Sequence, residues 1–537
     1  MTKIVEDNFA SLLSLGAAVL AAGLFALIPS EVMITMERFV RSIAARRLIW
    51  LIVLPALSFA VNTIIMQKNG GIPRPRVQDE FSYLLAADTF AHGTVTNPTP
   101  AFWRHFETPH ELMVPTYMSK YPPGQGLALA AGQLLAGIPI VGVWLITAVG
   151  CAAIYWMLLG FVSPPWALLG GIVAVIHPQL IAWSQNYWGG GVALMGGALV
   201  LGGWVRLMSR SAIAPVPLVM LGIGLIILAN SRPYEGLVLV IPLMSILLWR
   251  RWRILLALLV ILLPAAIVMG WYNFRITGHV LRMPFQEYSN QYDVYPKFWF
   301  LPKHAQPAYS SEALAGIHTI YERGDYDALR TIRGLMMISL MRLRTLIAIH
   351  ARPWILLFPL SIGILLPRIT DEKIRWIWIT VVIFLFGLWA ENFFLPHYAA
   401  PLSAGMLVLL ILGWRRLWQW SKVTAWAVCV GFTIGATLSA AAPVDPGSER
   451  TGQIELVEND GSLQTGKHLL FVRYTRDHLL HDEWVYNRAD IEGSRIIWAR
   501  SLGKASDALV AKHYSGRSVW ILTVGKDELR LDSYALP

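Results

Sequence analysis

Twelve apolar runs, each close to the length that crosses a lipid bilayer, leave this chain few ways to fold. They fall at about 9–29, 48–66, 141–160, 166–184, 191–208, 215–230, 234–249, 252–272, 353–367, 376–391, 397–414 and 424–443. A hydrocarbon core of about 30 Å takes roughly 20 helical residues, and within it every backbone N–H and C=O has to be bonded inside the segment. The expected fold is therefore mainly α, a polytopic membrane protein with about twelve transmembrane helices. Only 14% of the residues are charged, against roughly 25% in soluble domains, and a soluble enzyme is excluded. The net charge of +11 comes from short basic clusters between the runs, which is topological patterning and no sign of a nucleic-acid partner.

Those clusters are Arg38, Arg41, Arg46 and Arg47; Arg206 and Arg210; Arg250, Arg251 and Arg253; Arg368, Lys373 and Arg375; and Arg415, Arg416 and Lys422. They occupy alternate connections, so the positive-inside rule makes them cytoplasmic and sends the loops 67–140 and 273–352 and the tail 444–537 outside. The chain divides into a membrane domain, 1–443, and a soluble α/β domain, 444–537. The first run is read as a span, with a signal-anchor as the alternative. Residues 124–137 are apolar, yet the alternation holds only if they lie on the membrane surface. In the tail, His468–Tyr474, Arg495–Trp498 and Ser518–Thr523 read as strands and Lys504–His513 as a helix. Cys151 and Cys429 both lie in apolar runs, leaving the polar segments without a disulfide framework or a cysteine metal site.

Ion-coupled transport needs ionisable groups at mid-bilayer. Among the runs only His177, followed by Pro178, sits deep, and it serves either a backbone break or a proton relay. Polar chemistry gathers instead at the outer helix ends. Asp79 and Glu80 open an amphipathic segment, where one of them faces a cleft or both complement the helix dipole. His105, Glu107 and His110 have metal-like composition but no ligand spacing, since Pro109 interrupts them, and no metal is expected. Lys120 and Tyr121 precede Pro122-Pro123-Gly124. Tyr187 and Trp188 precede three glycines that admit either an anion or close helix packing. Arg232 and Glu235 share an outer turn; the guanidinium can bind phosphate bidentately or pair with Glu235. Glu391, Asn392, His397 and Tyr398 form a last polar cluster.

In combination these residues resemble the GT-C class of integral membrane glycosyltransferases, in particular the protein O-mannosyltransferase and lipid A aminoarabinose transferase branch. Asp79-Glu80 in the first outer loop, Lys120-Tyr-Pro-Pro123 (similar to the family's Lys-Pro-Pro-Leu), the basic turn at Arg232, and Pro396-His397-Tyr398-Ala-Ala-Pro401 (like Pro-Arg-Tyr-x-x-Pro) carry the resemblance over about residues 48–415. Tyr121 splits one motif and His397 replaces an Arg in the other. The resemblance implies inverting, base-assisted transfer of a hexosyl or pentosyl group from a polyprenyl-phosphate donor to a hydroxyl of a lipid, glycan or protein. It also implies no essential metal or other cofactor, and an active site outside a membrane, expected to be the bacterial inner membrane. Asp79 is then the base, Glu80 an orienting group and Arg232 the phosphate clamp, with Lys120 and His397 as further electrostatic groups. Tyr121, Tyr187, Trp188, Glu235 and Tyr398 are expected to line the substrate site.

Loop 273–352, with its run Leu335–Ile349, either closes over the donor or shields the bundle. The polar cluster Arg473–Arg488 either holds the acceptor or is a solvated face. The rival classes are a translocator of lipid-linked saccharides, which needs a continuous polar path, and an assembly protein in which Asp79 is dispensable.

Overall fold

The computed structural model describes residues 2–209, 213–365, 371–441 and 449–536. Arg210, Arg368 and the 443/444 division lie outside the described residues.

Each of the apolar runs is helical where described, but three depart from a straight span. Among the described residues, nine helices are long and apolar enough to cross a membrane, from Asn8–Ala26 to Lys422–Ala440. The run at 166–184 is two helices, Pro164–Ile176 and Pro178–Ser184, bent by 51°. His177 sits at the break, where its ring Nδ1 accepts the Gln179 N–H at 3.2 Å; the backbone-break reading is the one the geometry carries. Pro178 lacks the N–H that would continue the helix, which explains the bend. The run at 353–367 begins just after Ile332–Ala351 and turns from it by 94° at Arg352-Pro353. Pro215–Ala229 is apolar but only 15 residues long. The total among the described residues is 9 to 11 candidate spans against the twelve expected. An amphipathic helix, Ser30–Ala44, follows the first span.

The bundle has two chemically different ends. At one, Arg206 donates to the Trp156 carbonyl at 2.6 Å, Arg251 to the Leu207 carbonyl at 2.5 Å, Arg250 meets Glu372 at 2.6 Å and Lys422 meets Glu37 at 2.5 Å. The basic clusters therefore share one end. At the other end lie the helices Gln78–Ala91 and Pro123–Ala136, the second expected from 124–137, and a two-stranded ribbon of Glu111–Leu112 and Met118–Ser119.

The tail builds a four-stranded sheet in the order Ile496–Arg500, His468–Tyr474, Ser518–Val524, Leu529–Ser533. The first three strands are parallel and the edge strand is antiparallel. The helix Lys504–His513 is found as expected, while Glu449–Glu458 and Leu529–Ser533 are additional. The sheet shares a core with the loop 67–140: Leu85, Phe106, Met113 and Tyr117 pack with Leu469, Phe471, Ile497 and Ile521. A buried polar tie reinforces this seat. Arg500, 2% exposed, donates to Glu483 Oε2 at 2.6 Å and to the Glu107 carbonyl at 3.1 Å. Removing one member of a buried ion pair costs about 3–5 kcal/mol because the other charge is left without a partner. Arg500→Ala is therefore expected to lower the denaturation midpoint of the detergent-purified protein by that equivalent, and an unchanged midpoint would refute this role.

Candidate active site

Asp79 lies in the first turn of Gln78–Ala91 and keeps 23% of its side chain exposed, enough to be reached from solvent. Its Oδ1 accepts the Tyr121 hydroxyl and lies 3.5 Å from His110 Nδ1. No protein hydrogen bond among the described residues reaches Oδ2. Tyr121 stacks on Tyr83 with ring centroids 4.5 Å apart. The adjacent Glu80 faces inward: Oε2 accepts the N–H groups of Arg76 (2.6 Å) and Val77 (3.2 Å), and Oε1 that of Tyr187 (2.9 Å). Burial raises the pKa of this carboxyl and those three N–H groups oppose the rise. Glu80 thus holds two turns together, and the group it orients is backbone.

The segment after Tyr121 ties the rim to the bundle. Gly124 N–H donates to the Asn230 carbonyl at 2.7 Å, and a Cβ on Gly124 would stand 2.6 Å from that oxygen, so only glycine permits this approach. Gln125 Nε2 donates to the Tyr187 carbonyl at 2.8 Å. Two residues past Asn230, Arg232 precedes the helix Pro233–Arg251, its guanidinium 4.6 Å from the Tyr398 ring centroid. The nearest carboxylate is Glu235 Oε1 at 3.7 Å, too far for a hydrogen bond. The guanidinium makes no hydrogen bond among the described residues, although only 12% of the side chain is exposed. Tyrosines flank both charges: Tyr83 stacks on the Tyr121 that bonds Asp79, Tyr398 lies against the Arg232 guanidinium, and the charges of Asp79 and Arg232 both act on Tyr83 and Tyr398.

His397 is buried beside Trp188, with ring centroids 4.6 Å apart, and its Nδ1 has no hydrogen-bond partner among the described residues. Tyr187 donates its hydroxyl to the Pro73 carbonyl at 2.8 Å and so braces the rim. A Cβ on Gly190 would stand 2.6 Å from the Trp183 ring; close packing accounts for this glycine. Glu391 meets Lys297 at 3.2 Å. Burial and neighbouring Glu235 push its carboxyl up to about 8 against the pull of Lys297.

Lys120 Nζ lies 4.3 Å from the Tyr288 ring centroid, and its charge acts on Asp293 and Glu322. The residues His105, Glu107 and His110 diverge. His105 Nδ1 is 2.8 Å from the Arg500 carbonyl, Glu107 accepts the Tyr292 hydroxyl at 2.8 Å, and only His110 reaches Asp79. In loop 273–352, Asp293, His318 and Glu322 bring donor atoms within 4.8 Å of one another, the one group among the described residues with the composition of a cation site. Burial opposes the charge of Glu322, but His318 and His110 hold its carboxyl well below the usual range. The signal in the sequence was the i, i+4 spacing of His318 and Glu322, which places them on one helical face.

Of the polar tail cluster, His481 and Tyr486 reach the Asp79 helix. Gln78 Nε2 donates to the His481 carbonyl at 3.3 Å and Tyr486 stacks on Phe81 at 4.3 Å. Glu483 is buried in the Arg500 tie, and Asn487 Nδ2 donates to the Trp498 carbonyl at 2.8 Å.

No family model and no curated protein matches this chain. Solved structures do. ArnT from Cupriavidus metallidurans in the apo state superposes with a TM-score of 0.54 at 12% identity, over 88% of this chain and 92% of that one. The chain has the ArnT fold. ArnT bound to undecaprenyl phosphate gives a TM-score of 0.53 at 12% identity, over 88% and 93%. The Archaeoglobus fulgidus oligosaccharyltransferase in complex with Zn and sulfate aligns at 11% identity with a TM-score of 0.49, over 88% and 67%. ArnT is a lipid A aminoarabinose transferase of the GT-C class. The likeness is one of architecture, within which Tyr121 bonds Asp79 and Arg232 lies against Tyr398.

Proposed function

We propose that this protein transfers a hexosyl or pentosyl group from a polyprenyl-phosphate donor to a hydroxyl of a lipid, glycan or protein. The site works on the non-cytoplasmic face of a bacterial inner membrane. One observation carries the reading: a nearly buried guanidinium with no hydrogen bond among the described residues, Arg232, packs on Tyr398, and a reachable carboxylate, Asp79, accepts the hydroxyl of Tyr121, with the charges of both acting on Tyr398. A cation with free donors at a membrane rim is suited to a phosphate, and a carboxylate across from it to a hydroxyl proton.

Asp79 takes the proton of the acceptor hydroxyl as its oxygen bonds to the anomeric carbon. The bond from that carbon to the phosphate oxygen breaks, with inversion, and its electron pair leaves on the lipid phosphate. Arg232 holds that developing charge, with His397 beside it. A phosphate leaving group needs no proton at neutral pH, so a general acid is unnecessary. The tail, resting on the Asp79 helix through His481 and Tyr486, forms the acceptor side.

The test is to incubate purified protein in lipid with polyprenyl-phosphate sugars and acceptor extracts and to follow products by mass spectrometry. Glycosylated acceptor with release of polyprenyl phosphate is expected. Donor moved intact across the bilayer would support the translocator and overturn this reading. The reaction proposed is metal-free, so transfer after EDTA and a chelating resin should be unchanged. Loss restored by a divalent cation would instead give Asp293, His318 and Glu322 a part in the reaction.

A further inference from the structure

A short carboxylate on the first turn of a helix acts as a base only if one oxygen is turned toward the incoming hydroxyl. In Asp79 that choice is made by groups from two distant loops. The Tyr121 hydroxyl donates to Oδ1, the Tyr121 oxygen lies 3.0 Å from His110 Nδ1, and His110 Nε2 lies 3.3 Å from Glu322 Oε1. Beyond it, Glu322 Oε2 bonds His318 Nδ1, with His318 completely buried and its Nε2 3.4 Å from the Tyr288 hydroxyl.

We propose that Tyr121, His110 and Glu322 are positioning residues that fix the Asp79 carboxylate, committing Oδ1 and leaving Oδ2 for the acceptor hydroxyl. The inference rests on the transferase reading and extends it to residues outside the reacting group.

The middle link is held more firmly than a solvated histidine. His110 has a left-handed backbone, φ 69°, unusual for a residue with a side chain. Its N–H donates to the Tyr288 hydroxyl at 2.9 Å, and its carbonyl accepts from Ser82 Oγ at 2.6 Å and from the Lys120 N–H at 3.1 Å. Three neighbours thus maintain a sparsely populated conformation, and the imidazole it presents spans Tyr121 and Glu322. Strained backbone held in this way is found where side-chain direction matters. Tyr121 is fixed in turn by its stack on Tyr83. The extra tyrosine between Lys120 and Pro122 therefore has a defined place, supplying the one hydroxyl that Asp79 accepts.

The test uses the full-length protein with Tyr121→Phe, Glu322→Gln and the double variant. Misplacement of a reacting group by about 1 Å can cost on the order of 100-fold in rate. Tyr121→Phe is expected to lower kcat by at least about tenfold while acceptor KM and donor affinity stay within about threefold. Because both residues act through one chain, the double variant should be no slower than Tyr121→Phe alone. A wild-type kcat in Tyr121→Phe, or losses that multiply in the double variant, would overturn the proposal. A cryo-EM structure of Tyr121→Phe keeps the question open to decision even if the wild-type protein transfers no sugar. A turned Asp79 carboxylate supports the chain, and one that keeps its direction overturns it.

Discussion

Asp79→Asn is expected to reduce sugar transfer on the order of 1000-fold, within the range of about 100- to 10,000-fold for losing a positioned general base. The amide has nearly the shape of the carboxylate and can still accept the Tyr121 hydroxyl through its oxygen, so the helix Gln78–Ala91 and its contacts should persist. What it lacks is basicity toward the acceptor hydroxyl. Donor affinity should change little, because Arg232 and not Asp79 is assigned to the phosphate. The check is kcat with unchanged donor binding and an unchanged melting temperature. Wild-type rates in Asp79→Asn would remove Asp79 as the base.

The second large effect is on binding. Arg232→Ala should weaken polyprenyl-phosphate affinity by about 10- to 100-fold, the equivalent of the roughly 1.5–3 kcal/mol typical of hydrogen bonds to a charged group. Arg232→Lys keeps the charge but loses the bidentate fork, so it should recover only part of the loss. This graded series, measured by direct titration with polyprenyl phosphate, separates a clamp from a structural cation. Equal, undiminished affinity in both variants would return Arg232 to the bland role of neighbour to Glu235.

Much of the architecture was legible because burial in lipid writes itself on sequence. Runs such as Pro139–Leu158 and Arg253–Thr277 have to be long and apolar to cross at all. The tail strand His468–Tyr474 and the helix Lys504–His513 follow their expected limits, where apolar patterning and local propensity agree. The bends were marked by Pro178 and Pro353, but a proline tells where a helix breaks and not by how much its arms diverge. The helix Ser30–Ala44 was missed because its apolar face is narrow and its charges suggested only a basic loop.

The candidate site was half legible for a related reason. Asp79, Tyr121 and Arg232 stand beside turn residues at outer helix ends, where charge is scarce enough to be conspicuous. Glu80 was equally conspicuous, yet three backbone N–H groups occupy it. Nothing local distinguishes a carboxylate that bonds backbone from one that meets substrate. Glu322 and His318 were overlooked because their partner, His110, lies about two hundred residues away. The tie between Arg500 and the Glu107 carbonyl spans nearly four hundred. Such contacts follow from the docking of whole elements, and periodicity does not encode them.

The account depends most directly on a phosphate and a carboxylate meeting across one sugar. A structure of the protein in lipid nanodiscs with bound polyprenyl phosphate measures this. The phosphate is predicted within hydrogen-bonding distance of the Arg232 guanidinium, on the side of the Tyr83 and Tyr398 group that also faces Asp79. A phosphate bound at the basic end, beside Arg206 and Arg251, would contradict it.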